Sequence, residues 1–144
     1  MTETAFTNED LEDLIDTFEF VDDWEERYRY IIDMGKKLPA LDDSDKTEEN
    51  RVQGCTSQVW LVCETTDATP PVLKFRADSD AHIVRGLVAM MMMVFSGKTA
   101  REILDFDIQG LLDRLELAQH LSPNRANGLH SMVERIRATA QQYL

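Results

Sequence analysis

The chain has 144 residues, of which 43% are hydrophobic and 29% charged, a size and composition that exclude a disordered chain and suit one globular core. Its net charge of −12 argues against nucleic-acid binding, which normally needs a basic patch. The longest apolar run, Leu87–Phe95, is far shorter than the roughly 20 residues that cross a bilayer. The first residues show neither the positive region nor the apolar region of a secretory signal, so we expect a single cytoplasmic domain over residues 1–144.

The first 54 residues predict two helices and a loop. Apolar residues at helical spacing indicate an amphipathic helix over residues 7–18. Asp23, followed by a glutamate three residues later, is typical of a helix cap, and Pro39 ends this second helix. Residues 40–54 form an acidic, polar loop. The acidic excess of this part of the chain is interpreted as a solvated face, with attraction of a basic partner surface as the alternative.

The middle of the chain predicts a small antiparallel sheet. Residues 56–64 are rich in β-branched and aromatic side chains, and residues 72–77 alternate between apolar and basic ones. The connection over residues 65–71 contains two prolines and is short enough for the two strands to pair as a hairpin.

The remainder predicts helices. Residues 78–80 offer helix caps, and residues 81–96 form a helix that is apolar nearly all round, as expected for the centre of a domain. Gly97 is suited to end this helix. Three further helices are expected, starting at a capping box over residues 99–102, near Ile108, and at Ser122-Pro123. The order of elements indicates an α+β fold.

Cys55 is the most informative side chain because it directly follows Gly54 at the end of the polar loop, with Arg51 nearby. A thiol in such a position is either reactive, through a lowered pKa and exposure, or incidental. Cys63 lies in the first predicted strand, where it is most simply a small core residue. An extended segment would hold the two cysteines about 26 Å apart, so we expect no disulfide between them.

Four other features allow two interpretations each. His82 is a candidate base beside the cysteine, although a lone histidine is unspecific. Asp80 is either a helix cap or a functional acid. Arg125 is either an exposed surface residue or a contact to an acid or a partner. The run Met90–Met93 is interpreted as core filling rather than as part of a heme or copper site.

Four segments together resemble the SufE family. They are Glu25–Pro39, Asn50–Trp60 with the sequence Asn-Arg-Val-Gln-Gly-Cys-Thr-Ser-Gln-Val-Trp, Asp78–Leu87, and Gln119–Leu129 with His-Leu-Ser-Pro-Asn-Arg at its centre. They occur in the order expected for the family and extend over most of the chain. Thr56 departs from the glutamine common at that position, so contacts of this side chain are in question.

The resemblance implies a SufE/NifU-like α+β fold and a sulfur acceptor for iron–sulfur cluster assembly. Cys55 would become a persulfide by taking sulfur from a SufS- or CsdA-like cysteine desulfurase, which it stimulates, and would pass the sulfur to a cluster scaffold complex. The carrier would itself need no metal and no organic cofactor, since the pyridoxal phosphate belongs to the desulfurase. The resemblance links seven further residues to loop shape or partner docking: Arg51, Gly54, Ser57, Gln58, Trp60, Asp80 and Arg125.

Three alternatives remain open at this point. A NifU-like cluster scaffold would need several thiolate or imidazole ligands, and a cysteine hydrolase would need a base beside Cys55. The third alternative is an interaction module with an inert thiol. If the acceptor hypothesis holds, we expect the tip of the cysteine loop to pack against apolar surface and to become exposed on docking.

Overall fold

The computed structural model describes residues 8–55 and 57–144. Two predicted element starts, the first helix at Thr7 and the first strand at Thr56, lie outside these residues. Within them the fold is α+β, as predicted, with an antiparallel sheet on one side and helices packed around a central apolar helix.

The chain begins with two helices, α1 (Asn8–Phe20) and α2 (Trp24–Lys36). The Asp23 carboxylate accepts a hydrogen bond from the main-chain N–H of Glu25 at 3.0 Å, which confirms the predicted cap. The loop that follows contains one short 3₁₀ turn, Asp43–Asp45, which the sequence did not indicate.

Three antiparallel strands form the sheet in the order β1-β2-β3: β1 (Val59–Thr65), β2 (Val72–Ser79) and β3 (Lys98–Thr99). The predicted hairpin is correct, with Val59 opposite Ser79 and Cys63 opposite Phe75. The first strand starts at Val59, later than predicted, and the second continues to Ser79. The third strand was missed because two residues are too few to show an alternating pattern.

The central helix is α3 (His82–Phe95), and its residues from Gly86 to Phe95 are all buried. The methionine run is therefore core filling, as predicted. Gly97 follows the helix with φ +79°, so it ends the helix as expected. Helices α2 and α3 approach so closely that a Cβ on Gly86 would clash with the main-chain carbonyl of Ile31.

Four helices complete the chain: α4 (Ala100–Asp105), α5 (Ile108–Arg114), α6 (Leu117–His120) and α7 (Pro123–Gln141). The capping box at Thr99 and the start at Ser122-Pro123 are as predicted. The helix expected near Ile108 is α5, and the short helix α6, which was not predicted, follows it after Glu116, which has φ 58°. No helix in the described part of the chain is long and apolar enough to cross a membrane.

Asp78 connects the sheet to the acidic loop. This buried carboxylate lies 3.4 Å from the Arg85 guanidinium and 3.7 Å from the Lys46 ammonium, and it accepts a hydrogen bond from the N–H of Leu41 at 3.2 Å. A buried carboxylate needs such partners because an unpaired charge in the interior is costly. The network therefore holds the loop over residues 41–46 against the sheet that carries the cysteine segment.

Candidate functional site

Cys55 lies in the loop that leads into β1, with its side chain turned toward helix α7. The thiol is half-buried, and its sulfur lies 3.5 Å from the main-chain carbonyl oxygen of Gly128, to which it can donate a weak hydrogen bond. Gly54, directly before it, has φ +91°, a conformation that side chains of L-residues rarely adopt. The glycine thus permits the turn that directs the cysteine inward.

A cavity of about 370 Å³ opens beside this sulfur. Its apolar wall is formed by Val59, Val84, Leu87, Leu129 and Met132. Its polar lining consists of Ser57, Ser122, Asn124, Arg125 and the backbone of Gly128. The structure thereby brings together three of the predicted site residues, Cys55, Ser57 and Arg125, around one space.

Burial raises the pKa of the Cys55 thiol above its ordinary value of 9.0, and the Arg51 guanidinium opposes this rise to a smaller extent. Arg51 is half-buried and also lies 3.6 Å from the Glu48 carboxylate. The thiol is consequently protonated at neutral pH while the loop is in this position, so its nucleophilicity is low.

Asp80 holds the other end of the cysteine loop and is not a helix cap. The N-cap of α3 is Ala81, without a side-chain hydrogen bond, so the cap interpretation of Asp80 is wrong. Its carboxylate accepts a hydrogen bond from the N–H of Gln58 at 3.1 Å, and its own N–H donates to the Gln58 carbonyl at 3.3 Å. The Ser79 hydroxyl donates to the same carbonyl at 2.7 Å. The backbone at Gln58 is therefore fixed from both sides, whereas its side chain is exposed.

Trp60 and Arg51 close the base of the loop. They face each other across an isolated antiparallel bridge, flanked by a hydrogen bond from the N–H of Val52 to the Val59 carbonyl at 2.8 Å. The Lys46 ammonium lies 5.4 Å from the centre of the Trp60 ring, a cation–π distance. Trp60 does not line the cavity, so its contribution is to the shape of the loop base.

The structure adds two residues on α7 that sequence reasoning missed, Ser131, whose side chain lies against Gly54, and Arg135. The Arg135 guanidinium donates to the main-chain carbonyls of Glu49 at 2.9 Å and Arg51 at 3.3 Å. Residues 128, 131 and 135 are spaced by three and four positions, so they share one helix face. That spacing is visible in the sequence, but the segment that lies against the face is known only from the fold.

None of the three histidines lies at the cysteine among the residues that the structure describes. His82 is exposed and borders a separate cavity with Arg85. His120 stacks on Trp24 with ring centres 3.9 Å apart, and His130 is exposed on α7. The interpretation of His82 as a base for Cys55 is therefore wrong, and no arrangement seen here favours a cysteine hydrolase.

Cys63 differs from Cys55 in its surroundings. It is half-buried within β1, where burial and the neighbouring Glu64 carboxylate raise the pKa of its thiol to about 11. Both cysteines are free thiols. Across the described residues, no three His, Cys, Asp or Glu side chains are grouped so that they could hold a metal ion. The grouping of ligands that a cluster scaffold requires is not seen in this part of the chain.

Comparison with known proteins assigns the chain to a family. The family model described as "SufE: Fe-S metabolism associated domain" matches residues 12–140. The chain is 52% identical over 132 residues to an uncharacterized SufE-like protein of Rhizobium meliloti (strain 1021), with 91% of this chain and 94% of that protein covered. It is equally similar, 52% over 132 residues, to an uncharacterized SufE-like protein of Rhizobium etli, with coverage of 91% and 89%.

Among solved structures, the solution structure of a hypothetical protein from Thermus thermophilus superimposes with a TM-score of 0.72. The match covers 92% of this chain and 94% of that one at 16% sequence identity. A likeness at this identity concerns the fold alone, and it agrees with the α+β architecture described above.

Proposed function

Because the chain belongs to the SufE family, whose domain is associated with Fe–S metabolism, we propose that it is a sulfur acceptor and carrier for iron–sulfur cluster assembly. In this role Cys55 takes the outer sulfur of a persulfide from a cysteine desulfurase and passes it to the assembly scaffold. The main support is the position of the Cys55 thiol, half-buried against Gly128 beside a cavity with a largely apolar wall.

The chemistry is a thiol exchange at sulfur. The Cys55 thiolate attacks the outer sulfur of the donor persulfide, the bond between the donor's two sulfurs breaks, and the donor cysteine leaves as a thiolate. Cys55 then bears the extra sulfur as a persulfide, and the numbers of sulfur–sulfur bonds before and after are equal. Delivery repeats the step, with a recipient thiol attacking the outer sulfur. No external oxidant or reductant enters either step.

The surroundings of Cys55 suit a carrier that must travel between two partners. Persulfides and low-pKa thiolates are readily oxidised when exposed, and the apolar wall of the cavity shields the position of the outer sulfur. Burial keeps the thiol protonated and slow to react, so docking must move the loop outward to lower the thiol pKa. Among the described residues of the loop, Gly54 lies against Ser131 and the Cys55 sulfur faces the Gly128 carbonyl. These are contacts with α7 that the movement would break.

Intact-mass measurement tests this function. We expect incubation with a cysteine desulfurase and L-cysteine to add the mass of one sulfur atom, which a reductant removes. Cys55→Ser should abolish both the added mass and the stimulation of the desulfurase, whereas the matched variant Cys63→Ser should retain both. Added sulfur in Cys55→Ser but not in Cys63→Ser would give the acceptor role to Cys63 instead, and stimulation by Cys55→Ser would favour an interaction module.

The scaffold alternative is tested separately by anaerobic reconstitution with iron and sulfide. We expect no stable cluster, since a cluster needs several ligands around its irons and the described residues contain no group of three potential ligands. A chain that keeps a cluster through gel filtration would support the scaffold instead.

A further inference from the structure

The cavity beside Cys55 is much larger than the persulfide it would shelter. Its volume is about 370 Å³, whereas one water molecule, similar in size to one sulfur atom, occupies about 30 Å³ in the liquid. Small-molecule sites begin at about 300 Å³. Space for a second molecule therefore remains next to the sulfur, and the chemistry of the lining indicates what that molecule is.

Among the described residues, the lining combines an apolar wall with one cation. Arg125 borders the cavity and is exposed, and within the described residues no carboxylate lies at ion-pair distance from its guanidinium. Ser122 and Asn124 add hydrogen-bonding groups on the same side. A guanidinium without a protein partner is well suited to a carboxylate, because its paired N–H groups match the two oxygens.

We propose that this cavity is a binding site for a small thiol or persulfide that bears a carboxylate, such as an amino-acid or peptide thiol. Its sulfur faces Cys55 and its carboxylate pairs with Arg125. A persulfide on an internal cysteine of a partner protein has no free carboxylate beside its sulfur, so this pairing selects small molecules. The inference rests on the proposed persulfide chemistry of Cys55 and extends it to a second class of exchange partner.

The exchange is balanced without a further reactant. The thiolate of the small molecule attacks the outer sulfur on Cys55, the bond between the two sulfurs on Cys55 breaks, and Cys55 is released as a thiolate that takes up a proton. The small molecule leaves as a persulfide. The reverse reaction at the same site transfers the outer sulfur of a small persulfide to Cys55.

Alkylation of the protein whose Cys55 carries no extra sulfur tests the anion site without relying on sulfur transfer. In a Cys63→Ser background, we expect the ratio of the iodoacetate rate to the iodoacetamide rate at Cys55 to fall about fivefold in Arg125→Gln, the upper range for a partly exposed ion pair. The matched control is Arg101→Gln, an exposed arginine on α4, which alters net charge equally and should leave the ratio unchanged. A ratio that is equal in the two variants overturns the proposal.

Sulfur release completes the test. From Cys55 loaded by the desulfurase, L-cysteine should remove the sulfur faster than cysteamine, which lacks the carboxylate, and Arg125→Gln should reduce this preference about fivefold. Loading that succeeds with a preference unaffected by Arg125→Gln overturns the small-molecule site and leaves the carrier function intact. If Cys55 of the wild type does not load at all, the carrier function fails, and the alkylation ratio still reports on the anion site.

Discussion

Gly54 lies against Ser131, so close that a Cβ on the glycine would be 2.5 Å from the serine hydroxyl oxygen. The backbone of Gly54 also has φ +91°. The left-handed backbone favours a residue without a side chain at the position before the cysteine, and any Cβ there would also force the Ser131 hydroxyl to move. The sulfur depends on this turn for its place beside Gly128.

The first prediction concerns Gly54→Ala. An alanine in this conformation should reduce the free energy of unfolding by about 1–2 kcal/mol, and relief of the strain should move the loop off α7, so Cys55 should react faster with iodoacetamide. Gly97→Ala is the matched control, since Gly97 has φ +79° with nothing near its Cβ position. It should lose similar stability with no change in the Cys55 rate, and faster alkylation in both variants would contradict the prediction.

The second prediction concerns pH. Because burial raises the pKa of Cys55, its iodoacetamide rate should rise with a midpoint above the ordinary thiol pKa, and Arg51→Gln should move that midpoint higher. Stability follows from the same shift: the contribution of the buried neutral thiol is fully present below the ordinary pKa of 9.0 and is lost as pH rises through the folded value.

Denaturant unfolding across this pH range checks the sign. The loss of stability above pH 9 should be smaller in Cys55→Ser than in the wild type. The loss that remains in this variant comes from Cys63, whose thiol pKa is also raised on folding, to about 11. A wild-type stability that rises across this interval would show that the thiol pKa is lowered on folding.

The third prediction concerns Asp80. Asp80→Ala removes the acceptor for the Gln58 N–H and should reduce stability by about 1 kcal/mol, with faster alkylation of Cys55 because one end of its loop is released. Asp80→Asn retains an acceptor oxygen at the same place and should restore the slow rate. Alkylation of Cys55 that is faster than in the wild type by the same factor in both variants would mean that the negative charge of Asp80, rather than its hydrogen bond, holds the loop.

The fourth prediction concerns Arg135. Arg135→Gln should reduce the free energy of unfolding by about 2 kcal/mol, because hydrogen bonds from a charged donor to Glu49 and Arg51 are lost. It should also shorten the lifetime of the Cys55 persulfide in air. Arg137→Gln is the matched control on the same helix, since Arg137 donates to the Leu104 carbonyl at 3.1 Å, away from the loop. A shorter persulfide lifetime in both variants would indicate general destabilisation.

Much of the fold follows from local sequence signals. The capping residues Asp23, Thr99 and Ser122 begin the helices they were expected to begin, because a side-chain cap satisfies N–H groups within the same turn. The hairpin follows from two alternating segments and a short connection. The burial of Met90–Met93 follows from a helix without a polar face.

The site was only partly predictable, because its geometry depends on contacts between distant segments. The sequence identified Cys55 and Gly54, but it left Asp80 as either a helix cap or a functional acid until the fold placed it against Gln58. Arg135 is separated from Glu49 by 86 positions, and no pattern in a single sequence pairs such residues. The cavity is likewise a product of packing between α3, α7 and the loop.

The buried methionines have a consequence for damage by peroxide. Met34, Met90–Met93 and Met132 are each at most 4% exposed, so their thioethers are shielded from oxidants that attack flexible surface methionines. The accessible sulfur of the described chain therefore resides in its two half-buried thiols. The Arg51 guanidinium favours the thiolate of Cys55, whereas the Glu64 carboxylate disfavours that of Cys63. A mild peroxide challenge should therefore mark Cys55 as sulfenic acid before the core is touched.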